Sequence, residues 1–179
     1  VIKMNKLIKS VVLASSIGAL SGVSYAATQG TLGATSTGDF LITAVLQDLV
    51  RVSSLDDLNL GTYSGTGPLA GSEAFCVYRN GSGAYDATVT GDGGDGLGST
   101  FDLYDGSANY MAYTVTYNGN AILSGGTTGT EAGNSSLQDC GGANVANNAT
   151  IAVSIAAPVL QASPTGTYTG TVTVLIAPQ

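Results

Sequence analysis

The 179-residue chain contains no histidine and no tryptophan, and its last lysine is Lys9. Without an imidazole there is no Ser-His-Asp or Cys-His arrangement and no histidine general base. Paired carboxylates are the remaining route to hydrolysis, and they must face one cleft at a defined separation. The adjacent Asp56 and Asp57 would point to opposite faces of a strand, and most other acids sit in Gly-rich turns. An enzyme is therefore not expected. Two cysteines alone do not complete a zinc shell. The strongest metal candidate is the loop "GDGGDGLG" (91–98), where Asp92 and Asp95 offer oxygens of the kind Ca²⁺ takes. Asp and Gly also accept left-handed backbone geometry cheaply, and a hairpin loop is the preferred reading. No metal or other cofactor is expected.

Long apolar runs are also missing. The one near the start, "VVLASSIGAL", is well short of the ~20 residues that span a bilayer. Lys6 and Lys9 precede it and the small-residue pattern "SYA" follows it, ending at Ala26. This is the layout of a secretory signal, assigned to residues 1–26 with Met4 as initiator. Beyond it, Arg51 and Arg79 face twelve carboxylates, a net charge of −10. Such a chain is repelled by nucleic acid and by anionic membrane surfaces, so neither is an expected partner. In an exported protein the isolated pair Cys76 and Cys140 reads most simply as a disulfide.

What the chain does have is strand-length apolar stretches separated by Gly, Ser, Thr and Asn. Segments 73–80, 84–91, 99–105 and 110–119 read as strands with turn signals at their ends. In "ATIAVSIAA" (149–157), Ile151, Val153 and Ile155 share a face. In "TYTGTVTVLIAP" (167–178), Tyr168, Val172, Val174 and Ile176 oppose a row of threonines. Tyr113, Val115 and Tyr117 also share one face, as core residues would. Only "PVLQAS" has a helical look, and it is short. Roughly 150 residues of short strands predict an all-β, immunoglobulin-like β-sandwich, with a barrel or jelly roll as the alternative. Asn80, Asn134 and Asn148 head glycosylation-type triplets and are read as turn residues.

The stretch "TGDFLITAVLQDLVRVSSL" (37–55) holds two apolar runs too close together for a hairpin of two full strands. In an extended chain Phe40, Ile42, Ala44 and Leu46 share one face, with Leu41 and Val45 on the other, so the strand demands burial. A small, polar, Gly-rich lead precedes it. "FLITAVLQDLVRV", "LDDLNLG" (55–61), "AYTVTYNGNAILSGG" (112–126), "ATIAVSIAAP" (149–158) and the terminal "GTYTGTVTVLIAP" together resemble chaperone–usher pilins. The closest layouts are the archaic and colonisation-factor subunits and the spore-coat-U-like domains.

That resemblance implies an immunoglobulin-like fold lacking its last strand, completed first by a periplasmic chaperone and then by the N-terminal donor strand of another subunit. The donor would be Asp39 to Gln47, inserting Phe40, Ile42, Ala44 and Leu46. The acceptor groove would be walled by Leu49 to Leu55, with Val50 and Val52, and by the C-terminal strand, with Tyr168, Val172, Val174 and Ile176. The implied organisation is a flexible lead and donor strand over 27–47 and a pilin-like domain over 48–179. The implied partners are other copies of the chain, the chaperone and an outer-membrane usher. The implied location is the periplasm in transit, then the cell-surface fimbria, serving adhesion or biofilm. The reading from a different class is a self-complete secreted β-sandwich that binds glycan or Ca²⁺ as a monomer. The signal assignment predicts that N-terminal sequencing of exported protein begins at Ala27; a start upstream of Met4 or deep within 27–47 would contradict it.

Overall fold

The computed structural model describes residues 26–81, 83–141 and 146–179. The assigned signal lies outside the described residues except for Ala26. The chain divides into two compact units, one ending at Val45 and the other spanning Leu46–Gln179. In the first, the lead closes on itself: Thr28 and Asp39 exchange backbone hydrogen bonds of 2.9 and 3.0 Å, with bends over 32–35 between them.

The second unit is all-β apart from one short helix. In chain order its strands are β1 (Val50–Ser53), β2 (Leu69–Arg79), β3 (Ala84–Gly91), β4 (Asp102–Tyr104), β5 (Tyr110–Ala112) and β6 (Thr114–Tyr117). There follow β7 (Asn120–Ile122), β8 (Gly126–Thr127), β9 (Glu131–Ala132), β10 (Ala149–Ile155), the helix α1 (Ala157–Ala162) and β11 (Val172–Pro178). One sheet has the order β1-β2-β10-β6-β7, the other β11-β3-β8 with β9 also on β3, and β4 pairs β5. Every named strand pairing is antiparallel. The fold is an immunoglobulin-like β-sandwich.

Alternation builds the core. On β3, Tyr85, Ala87 and Val89 are buried while Asp86, Thr88 and Thr90 face the other way. They meet Phe75 and Val77 of β2, Val115 and Tyr117 of β6, Ile151 and Ile155 of β10, and Ile176 of β11. Each large apolar side chain buried this way stabilises the sandwich by about 1.5–3 kcal/mol. Two phenols cross the interior: Tyr85 and Tyr117 hydroxyls lie 2.8 Å apart. Burial raises the pKa of both, so each stays a neutral hydrogen-bonding group. Phe75 meets the Tyr117 ring edge-on, 5.9 Å between centroids.

Two segments differ from the sequence expectation. "PVLQAS" does form a helix, α1, with Pro158 in its first turn and Leu160 as its buried residue. Ser163 ends it by returning both backbone N–H and side-chain hydroxyl to the Val159 carbonyl. The terminal run 167–178 is not one strand. Thr169 pairs with Tyr104 at 2.8 and 3.0 Å, Asp92 N–H donates to the Thr171 carbonyl at 3.0 Å, and β11 begins only at Val172. The chain changes partner at Gly170, where a Cβ would lie 2.9 Å from the Asp102 carbonyl oxygen, so only glycine passes there.

Cys76 and Cys140 form the disulfide, with Cα atoms 5.7 Å apart at a sequence separation of 64. It ties the loop after β9 to the outward face of β2. Cys76 is also the register partner of Ser53 in β1. Loops are organised by carboxylates. Asp105 Oδ1 accepts the Ser107 N–H at 2.8 Å and Oδ2 accepts the Asn109 side-chain amide at 2.6 Å. These bonds, that of Asn109 first, hold the Asp105 carboxyl at a pKa of about 2.

Two outcomes follow from these contacts. Reducing the disulfide, or replacing Cys76 and Cys140 by Ala, is expected to cost about 4 kcal/mol by the loop-entropy relation, read from denaturant unfolding; a midpoint unchanged by reductant would contradict it. The Asp105 carboxylate is depressed below the ordinary 3.8, so its contribution is complete above that value and lost as pH falls through about 2. The Ser107 and Asn109 amide resonances are therefore expected to hold native positions well below pH 3.8 and to move near pH 2. Movement centred at ordinary carboxylate pH would contradict the assignment.

Candidate functional site

Of the residues named for the acceptor groove, Val50 and Val52 lie on the edge strand of one sheet and Val172, Val174 and Ile176 on that of the other, while Tyr168 lies outside both strands. β1 ends the first sheet and β11 ends the second, so each has one hydrogen-bonded neighbour, β2 and β3 respectively. Val50 and Val52 on β1 and Val172 and Val174 on β11 are half-buried and pack against the core; Ile176 is buried. Tyr168 precedes β11, packs on the core by its ring and donates its hydroxyl to the Pro164 carbonyl at 3.0 Å. On the outward side, Leu175 is exposed.

The direction of the two edges follows from their registers. β1 starts opposite Arg79 of β2. β11 ends opposite Tyr85 of β3, and Gln179 N–H donates to the Ala84 carbonyl. Arg79 also donates to the Ala84 carbonyl, so the start of β1 and the end of β11 lie at the same end of the sandwich. The edges run in opposite senses and approach within 8 Å, Cα to Cα, without joining into one sheet. A strand hydrogen-bonded to both would need roughly 9.5 Å, two strand spacings, between them. Such a strand could enter only if the edges part by at least about 1.5 Å.

β1 is held firmly from its other side. Arg51 pairs with Asp139 at 2.8 Å, and Ser53 donates to the Gln138 carbonyl at 3.2 Å. Both partners neighbour Cys140, so the disulfide, ion pair and hydrogen bond act on one loop. The root of the N-terminal segment is clamped as well. Asn80 accepts from Leu49 N–H and donates to the Gln47 carbonyl, both at 2.7 Å, and its own N–H donates to the Leu49 carbonyl. Beside it Arg79, buried, lies 3.4 Å from the exposed Asp48 carboxylate, and its Nε has no partner among the described residues. Sequence reasoning missed this clamp. Its sequence cue was an Asn-Gly turn next to one of the two arginines in the sequence.

The named donor residues have a different environment. The segment from Phe40 to Leu49 carries no regular secondary structure. Phe40 is 75% exposed, Ile42 79% and Leu46 83%, and Ala44 is exposed too. Leu41 and Val45, on the alternate face, are equally uncovered. These are large side chains that water covers at a cost of about 25 cal/mol per Å².

The aspartates of the 91–98 loop serve the loop itself. Asp92 accepts Gly94 N–H at 2.8 Å, and Asp95 accepts Leu97 N–H at 2.9 Å and the Tyr110 hydroxyl at 2.8 Å. At Asp92 desolvation raises the carboxyl pKa but the hydrogen bonds of Thr171 and Gly94 together outweigh it, and at Asp95 the Leu97 and Tyr110 bonds dominate, so both values are lowered.

No family model matches the sequence, and no curated protein matches it. Among solved structures, the chain is similar to the CsuC–CsuE chaperone–tip adhesion subunit pre-assembly complex from archaic chaperone–usher Csu pili of Acinetobacter baumannii. The identity is 16% and the TM-score 0.45. The match covers 73% of this chain and spans 40% of the chain it resembles.

Proposed function

We propose that the protein is a structural subunit of a surface pilus, assembled by donor-strand exchange. Residues 27–47 serve as lead and donor strand, and residues 48–179 form the acceptor domain. The observation that carries the reading is the pair of open edges, β1 and β11, whose half-buried valines face a core closed by no third strand among the described residues. The uncovered alternation of Phe40, Ile42, Ala44 and Leu46 supports it from the other side of the contact.

In this reading the two edges part, an incoming strand adds backbone hydrogen bonds along both, and every second side chain fills the gap so opened. The donor belongs to one copy and the groove to another, so the contact is head-to-tail and generates a fibre rather than a closed ring. Before assembly the same gap needs a temporary occupant, the role of a periplasmic chaperone, with an outer-membrane usher as the site of exchange. The fibre at the cell surface then supports adhesion or biofilm formation. The disulfide and the Asn80 clamp keep β1 in place while load passes from donor to groove.

The test uses two full-length variants, one with a disabled donor (Ile42→Asp) and one with a disabled groove (Val174→Asp). Each is expected to fold and to form no multimers alone, because an ionised side chain in the gap lacks a partner. Mixed, they are expected to give a heterodimer and nothing larger, read by size-exclusion chromatography with light scattering. Multimers from either variant alone, or no heterodimer from two folded variants, would contradict the proposal.

A further inference from the structure

Away from the open edges, a cleft of about 620 Å³ lies between the β4–β5 hairpin and α1. It is shallow and largely open to solvent, a surface groove rather than an enclosed pocket. Its walls are of two kinds. Tyr110, Pro158 and Pro164 present flat apolar surface, and Asp102, Asn109 and Ser163 supply polar atoms.

The tyrosine is set in place before any ligand arrives. Its ring stacks on Tyr104, 4.9 Å between centroids, and its hydroxyl is tied to Asp95 at 2.8 Å, yet the residue remains 51% exposed. Asn109 is likewise fixed, its side-chain N–H donating to Asp105 Oδ2 at 2.6 Å, which leaves its side-chain oxygen as an acceptor. Groups ordered in advance lose little entropy on binding. No lysine or arginine lines the cleft.

We infer that this cleft is a binding site for neutral carbohydrate, with a pyranose ring lying against Tyr110 and its hydroxyls bonded to Asp102, Asn109 and Ser163. An aromatic face accepts the C–H side of a sugar, while carboxylate and amide oxygens accept its hydroxyl protons. A net charge of −10 beyond the signal and the absence of a lining cation disfavour acidic sugars. A cationic ligand is a weaker fit. Asp95 and Asp105 already accept internal hydrogen bonds, leaving Asp102 as the one carboxylate in the lining. This inference does not depend on how the chain assembles. Repetition along a fibre would turn weak single sites into strong attachment through avidity.

Saturation-transfer NMR on the purified full-length protein, in whatever assembly state it adopts, provides the test. The probes are galactose, mannose and N-acetylglucosamine, with N-acetylneuraminic acid and choline as contrasts. At least one neutral sugar is expected to bind with Kd on the order of 1 mM, and neither contrast probe to compete. Tyr110→Ala and the size-conserving Asp102→Asn are each expected to weaken binding about tenfold or more, the loss of one good contact. Thr116→Val, on the other sheet, should leave it unchanged. Silence from all three neutral sugars would overturn the inference. So would binding that survives both cleft variants, or preferential binding of choline, which would mark a cation site.

Discussion

Two sheet edges that nothing in the described domain joins govern the rest of this structure. A buried backbone N–H or C=O without a partner costs about as much as a lost hydrogen bond, and β1 and β11 each present one unpaired row. Val50, Val52, Val172 and Val174 sit beneath these rows, packed on the core and half open to water. The domain therefore has a complete interior around Tyr85, Tyr117 and Phe75 and an incomplete one at this margin. Natural sheets blunt such edges with charge, proline or cover. Here Pro178 lies at the very end of β11, and Arg51 is the one charged side chain on β1.

The surrounding contacts hold that margin in shape rather than closing it. The disulfide, the Arg51–Asp139 pair and the Ser53 hydrogen bond all fix β1 through the loop around Cys140. The ion pair is exposed and worth at most about 1 kcal/mol, so the disulfide carries most of that effect. Asparagines act as substitutes for backbone. Asn80 extends the β1–β2 pairing to Gln47 and Leu49, and Asn148 bonds both the N–H and the carbonyl of Val77. An amide can donate and accept at once, which a carboxylate or hydroxyl in the same place does less well. β1 is thus anchored through the Cys140 loop on one side, while its free edge faces that of β11 without joining it.

Much of the sandwich was legible in the sequence because period-2 alternation reports a buried face directly. The run 84–91 coincides with β3, and Tyr113, Val115 and Tyr117 are buried as their shared face implied. The pairing of Cys76 with Cys140 was legible because only two thiols exist. The break at Gly170 was not, since the alternation of "TYTGTVTVLIAP" continues through it; the cause is a close approach of Asp102 from β4, which no local pattern encodes. The Asn80 and Asn148 bonds were hidden for the same reason, as their partners are 31 to 71 residues away. The cleft between the β4–β5 hairpin and α1 joins segments distant in sequence, and its Tyr110 looked like any other tyrosine.

The measurement that bears most directly on the open edges is a denaturing gel of native surface material, loaded with and without boiling. A strand exchanged between copies leaves its groove only by an unfolding step with a high barrier, so kinetic stability shows as detergent resistance. A ladder of multimers in the unboiled lane that collapses to a single band on boiling is the predicted result. A single monomer band in both lanes would contradict strand exchange and mark the edges of β1 and β11 as closed from within the chain.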